Sequence, residues 1–283
     1  MKLNLKKDAL IQLVIITVLF CFVFFNTIVN LVKDWSIDDN FSHGFLIPFI
    51  FIYMVWFRFD ELKQTKIKSS NLGIIIICLG LVCYLAGNLG AEFFVMRVSM
   101  ITTFAGLIIW FLGVKIFKKV FIPVLYLFLM IPIPSIIWNK LAFPLQLFAA
   151  SGATSIIQMF GLSVLREGNI LHLVNTSLEV VDACSGLRSL TSLLALSGAF
   201  AYISPLKNIS KWILFFSAIP IAVAVNILRL IITAFAAVYI SPETAHGLLH
   251  DMAGIVVFGA ALCFTYLLYL LLDFIENFKR AKI

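Results

Sequence analysis

The stretch LGIIIICLGLVCYLAGNL, residues 72–89, holds no charged side chain. It is long enough to carry a helix across the hydrocarbon of a bilayer, which takes roughly 17–25 residues. Runs of this kind recur at about 10–32, 44–57, 94–113, 118–134, 187–204, 212–237 and 250–274. The chain is therefore predicted to be an all-α polytopic membrane protein with about eight transmembrane helices. The run at 44–57 is short for a crossing, so it must thin the bilayer locally or extend past these limits. The first run is too long for the apolar core of a signal peptide and lacks a small-residue cleavage site, so it is expected to stay as a span.

Of 283 residues, 12% are charged and 62% are hydrophobic, where a soluble domain carries about 25% charge. No polar stretch is long enough for a separate soluble domain, so residues 1–283 are expected to form a single integral-membrane domain. The net charge of +7 raises the possibility of nucleic acid. Loop charge accounts for it better, because Lys and Arg of membrane proteins gather on cytoplasmic loops. Here Lys2, Lys6 and Lys7, then Arg58, Lys63, Lys66 and Lys68, then Lys115, Lys118 and Lys119, then Lys207 and Lys211, then Lys279, Arg280 and Lys282 all fall on one side. Lys33, Lys140, Arg166 and Arg188 fall on the other, beside most of the acids. Both termini are thus expected in the cytoplasm, with lipid and not nucleic acid as the surrounding partner.

Residues 135–160 are apolar but interrupted by Pro144, Gln146 and Ser151-Gly152. One more crossing there would carry Lys207 and Lys211 to the outside, so an interfacial or re-entrant helix is expected, buried against protein. The β-branched stretch EGNILHLVNTSLEVVD that follows, with a turn at Asn175-Thr176-Ser177, reads as a short hairpin on the outer face. Cys21, Cys78, Cys83 and Cys263 lie inside apolar runs and read as small buried hydrophobes.

Cys184 differs, because VVDACSGLRSL surrounds it with Asp182, Ser185, Gly186 and Arg188. It falls where the outer loop meets the span at 187–204, with Arg188 one turn further on. A helix N-terminus and a guanidinium both favour thiolate, the nucleophilic form. A tight loop-to-helix turn with an incidental cysteine is the plainer alternative. In NILRL, Asn226 and Arg229 share a helix face. A charge inside a span usually faces a polar cavity or a partner. Snorkelling or a structural pair with Glu179 or Asp182 would also explain Arg229. Arg97 is likewise intramembrane and is read as structural, pairing with Glu92. In HGLLHDMAG, His246 and His250 stand four apart. His250 has the chemistry of an acid or base; two histidines at this spacing also suit a metal, but no third ligand is evident, so no metal and no cofactor are expected.

The charge-derived topology sets Cys184, Arg229 and His250 at one depth, the outer membrane boundary, on three helices. Together they hold the parts for acyl transfer: thiolate attack on a carbonyl, oxyanion stabilisation by Arg or local N–H groups, and protonation of the leaving amine by His. Arg188, Asn226, Glu179, Asp182 and Ser185 are expected to support the site or bind substrate. From another class, a transporter or polysaccharide-export component would line a pathway with Arg229 and Glu179; inverted repeats or helices broken near the midplane would favour it.

The sequence resembles the exosortase/archaeosortase family of polytopic membrane transpeptidases over most of its length. FSHGFLIPFIFIYMVW (41–56) is similar to the family's early Ser-His-Gly-Phe segment. FLMIPIP leading to FPLQLFAASGA resembles its middle region. LEVVDACSGLRSL (178–190) is the most specific match, and NILRL and HDMAG follow in the expected order. Asp182 stands where Glu is also common in the family, and Ser-Gly-Leu-Arg after the cysteine is closer to bacterial members. The resemblance implies a catalytic Cys184, Arg229 and His250. It implies partners too: exported proteins bearing a C-terminal sorting tail of short signature, transmembrane helix and basic end. Such a tail is cut near the signature, and the protein is passed to an acceptor that the sequence does not identify, or released by water as in a simple cysteine protease.

Overall fold

A computed structural model describes residues 7–174, 176–180, 187–240 and 248–281 of the chain, with backbone alone for residues 7–10, 13, 187–188, 248–253, 255 and 279–281. The chain divides into two compact units, one formed by residues 1–38 and 58–132 and the other by residues 39–57 and 133–283. Six helices are long and apolar enough to cross a membrane, or seven counting one bent pair, among the described residues. The protein is a helical, multi-pass membrane protein with one small sheet.

The first unit contains α1 (Lys7–Val23) and α2 (Phe25–Ile37), bent 64° from each other. The expected first span is this broken pair. The short α4 (Phe59–Lys63) precedes α5 (Leu72–Leu89) and α6 (Phe93–Phe111); α3 belongs to the other unit. Helices α5 and α6 form the tightest pair. Gly73, Gly80 and Gly87 recur every two turns along the buried face of α5. A Cβ at Gly73 would run into the Trp110 backbone, and one at Gly80 into Thr103. Absence of side chains here lets the two backbones meet, as small residues do between membrane helices. Gly80→Leu is therefore expected to destabilise the protein by about 3 kcal/mol, at the upper end for overpacking. Unfolding in detergent checks this, and an unchanged midpoint would show that the pair separates at no cost.

Arg97 of α6 is 4% exposed and donates from Nη2 to Asp34 Oδ2 of α2 at 2.5 Å. Its partner is thus Asp34 and not the expected Glu92. The same end of α2 is tied by Trp35 Nε1, which donates to the Met130 carbonyl at 2.8 Å. The expected span at 118–134 is instead α7 (Val114–Tyr126), 13 residues with Pro123 inside it, and a single 3-10 turn to Met130. Pro132 and Pro134 follow, and each bars helix for the residue before it.

In the second unit a 3-10 segment, Asp39–Phe45, runs into α3 (Ile47–Phe57), and together they make a candidate span of 19 residues. This lengthens the run that looked short at 44–57. Residues 135–159, expected as interfacial or re-entrant, form one unbroken helix, α8 (Ser135–Met159), of 25 residues and long enough to cross a membrane. Pro144 sits within it without ending it. A three-stranded antiparallel sheet follows: β1 (Val164–Glu167), β2 (Ile170–Leu173) and β3 (Ser177–Glu179), in that order. The expected hairpin is β2–β3, with Ser177 already in its second strand, and β1 adds to it. The unit ends with α9 (Leu187–Ile203), α10 (Asn208–Tyr239) and α11 (Leu248–Ala281).

Helix α10 is the axis, and three apolar clusters follow one another along it. Near its start, Leu214 joins Ala201 of α9 and Leu206, with Leu268 and Leu272 of α11 against them. At its middle, Ala218, Ala222 and Val225 meet Trp138 and Ala142 of α8, Leu190 and Leu193 of α9, and Val257 and Ala261 of α11. Toward its end, Leu230, Ala234 and Ala237 meet Ala149, Ala153 and Ile157 of α8 and the buried side of the sheet, including Leu171, Leu178 and Val180. So α8 runs parallel to α10, while α9 and α11 run antiparallel to it. At the far end, Glu276 of α11 closes the start of α10: both carboxylate oxygens accept the Lys207 N–H at 3.1 Å, and Oε1 also accepts Ser210 Oγ at 2.5 Å.

Cys21, Cys78 and Cys263 are exposed on the helix surfaces and Cys83 is intermediate, where burial inside the protein was expected. For a membrane protein the solvent at these faces is hydrocarbon, so an apolar thiol has no need of a protein interior.

Candidate active site

Between Val225 and Leu230, α10 carries two buried polar side chains. Asn226 and Arg229 occupy this interval, at 2% and 7% exposure. Together they make a polar layer on α10 in an otherwise apolar bundle, and Gln146 of α8 is a further buried polar side chain, at 7%. Arg229 and Gln146 are both engaged by neighbouring groups, whereas neither Nδ2 nor Oδ1 of Asn226 has a hydrogen-bond partner among the described residues. Sequence reading passed over Gln146 as a mere interruption of an apolar run; the signal was its polarity, but its meaning depends on the register of α8 against α10.

The antiparallel helices begin beyond the middle cluster, on the same side of it as this layer. Val257 belongs to that cluster, and His250, the third residue of α11, is two turns before it. Likewise α9 starts at Leu187, one turn before Leu190 of the same cluster. Arg188 is its second residue. The first turns of α9 are fixed from outside by Thr191 Oγ1, which donates to the Asn40 carbonyl at 3.2 Å. That carbonyl belongs to the 3-10 segment containing His43, which is 9% exposed. His43 therefore sits beside the start of α9, although it was recognised in the sequence only as part of a motif.

On the sheet side, Val180 is fully buried. Its N–H donates to the Asn169 carbonyl at 2.9 Å, and its own carbonyl accepts Asn169 Nδ2 at 3.2 Å. The segment carrying Cys184 thus leaves a clamped strand end and enters the start of α9. Asp182, Cys184, Ser185 and His246 themselves lie outside the described residues, and Arg188 and His250 are placed by their backbone. Glu179 is exposed at the last position of β3 and forms no ion pair among the described residues. A separate polar group decorates the exposed side of the sheet, where His172 Nδ1 meets Ser177 Oγ at 2.8 Å and Nε2 meets Glu167 Oε2 at 3.5 Å. Among the described residues, no three His, Cys, Asp or Glu side chains come together as metal ligands do.

A model of the transmembrane exosortase family matches residues 35–267. No curated protein and no solved structure matches the chain.

Proposed function

This chain belongs to the transmembrane exosortase family, and on that premise we propose that it is a membrane-embedded cysteine transpeptidase acting on C-terminal sorting tails of exported proteins. Cys184 as thiolate attacks the carbonyl carbon of a peptide bond beside the signature. The carbonyl electrons move onto oxygen, where Arg229 and the free N–H groups at the start of α9 stabilise the oxyanion. His250 as imidazolium gives its proton to the departing amine, the carbon–nitrogen bond breaks, and a thioester remains on Cys184. An acceptor nucleophile, losing its proton to the now neutral His250, attacks the thioester and releases the thiolate. Arg188 favours the thiolate form, while Asn226, Glu179, Asp182 and Ser185 shape the surroundings.

The observation that carries this reading is the polar layer at Asn226 and Arg229, set where α9 and α11 begin. A buried guanidinium is costly in an apolar bundle unless it has a task or a partner. This one lies on the side of the middle cluster where α9 and α11 begin, and covalent reach keeps the Cα of Cys184 within about 11 Å of that of Leu187. The loop charges orient the molecule: the end with the sheet faces out of the cell, both termini face the cytoplasm, and the membrane is the cytoplasmic one.

The test is an intermediate. Wild-type protein mixed in detergent with a tailed substrate is expected to yield a thioester on Cys184 that hydroxylamine releases. Mass spectrometry of the product formed without hydroxylamine separates transfer from hydrolysis, since water as acceptor leaves a carboxylate. No adduct at Cys184 while the tail is being cut would overturn the cysteine mechanism.

A further inference from the structure

Asn226 is an anomaly in energetic terms. A carboxamide buried to 2% exposure with neither Nδ2 nor Oδ1 hydrogen-bonded among the described residues bears the full desolvation cost of both atoms. Leucine would fill the same volume without that cost. The ambiguity of amide orientation is irrelevant here, because both ends lack partners. The side chain is also not stray in position: it lies between the residues that α10 gives to two apolar clusters, one turn before Arg229. Its surroundings close on both sides. Ala142 and Ala222 belong to the cluster below the layer, and beside it Gly152 of α8 approaches Ile227 of α10 so closely that an added Cβ would touch it.

A carboxamide shows one donor and one acceptor side by side. What satisfies both at once is a group with an acceptor and a donor at matching separation. In an extended peptide each residue turns its own N–H and C=O to the same side of the chain. A carboxylate or phosphate offers acceptors only and would leave Oδ1 unpaired. A single hydroxyl carries a donor and an acceptor on one atom, so it meets the two ends of the amide only through a bent pair of bonds. We propose that Asn226 is a substrate-reading residue: its amide pairs with the N–H and C=O of one residue of the extended tail, holding the adjacent scissile bond in register with Cys184. This rests on the reading of the chain as a peptidase of sorting tails, and adds to it the element that fixes the position of the cut.

The experiment pairs a side-chain change with a backbone change. Asn226→Leu is expected to unfold in detergent at the same temperature as wild type or higher, since it removes an unpaired amide. Its kcat/KM on the tailed substrate is expected to fall by about 10–100-fold, the worth of one or two buried hydrogen bonds. A set of substrates is then made in which one peptide N–H at a time, on either side of the scissile bond, is replaced by an ester oxygen. At one position the ester should slow wild type by a similar factor and slow Asn226→Leu no further, a coupling that a structural role does not produce. Asn226→Ala, which removes the amide without adding bulk, serves if the leucine variant fails to fold. Wild-type kcat/KM in either variant overturns the proposal. So does a loss of activity with no coupled ester position, which makes Asn226 structural, or a coupling that appears only when a hydroxyl of the acceptor is removed, which assigns it to the acceptor. If wild type itself forms no thioester on Cys184, the cysteine mechanism has failed, and an ester position that still couples to Asn226 retains the peptide contact without it.

Discussion

Replacing Cys184 with alanine is expected to abolish cleavage of a tailed substrate, lowering kcat/KM by at least about 10⁴-fold, because the covalent route has no other nucleophile. Cys184→Ser should come close to the same loss. A serine hydroxyl is almost un-ionised near neutral pH, and a site built to hold a thiolate beside Arg188 and the start of α9 supplies no base matched to it. Both changes keep a small side chain at a position ahead of α9 in the chain, so thermal unfolding in detergent should be unaltered. The check is substrate cleavage followed over hours by gel shift, alongside the unfolding midpoint. Wild-type turnover in Cys184→Ala would falsify the mechanism outright; loss of folding in step with activity would move the residue to a structural role.

His250→Ala is expected to reduce the rate by roughly 10²–10⁴-fold, the usual worth of a general acid or base. The loss should appear in acylation, because an amine that departs unprotonated is a poor leaving group; the thioester on Cys184 should therefore build up slowly and not accumulate. His246→Ala should matter far less, since it has no assigned proton to move. Single-turnover kinetics on the two variants separates the cases. Equal losses at both histidines, repaired by added zinc, would instead point to a metal held between them.

Much of the helical frame was legible because hydrocarbon permits few alternatives. The uncharged run at 72–89 coincides with α5, Leu72–Leu89, and the long apolar stretches around 212–237 and 250–274 lie within α10 and α11. What escaped was set by contacts far apart in the chain. The 64° break between Val23 and Phe25 has no proline or glycine to announce it; Phe24 is 1% exposed there, its ring 4.9 Å from those of both Phe20 and Tyr84. Arg97 was paired with its sequence neighbour Glu92, but the partner is Asp34, sixty-three residues away. The prolines before Ser135 stopped α7 and freed α8 to form as one helix, which local apolarity alone did not reveal. The candidate residues were legible as motifs: NILRL named Asn226 and Arg229. That Asn226 lacks a partner among the described residues follows only from how the helices pack around it.

Glu276 ties the site helix to the order in which the chain is made. The first turn of α10 finds its carboxylate sixty-nine residues after Lys207. At a synthesis rate of about 5–20 residues per second, that partner arrives roughly 3–14 s later. During that interval the helix bearing Asn226 and Arg229 has left the ribosome with its leading N–H groups bound only to water or lipid headgroups. A chain halted before Glu276 thus holds every residue of the proposed chemistry but not the latch of its central helix. Assembly of this unit is completed from its tail, and the step that finishes it is the arrival of the last two turns of α11.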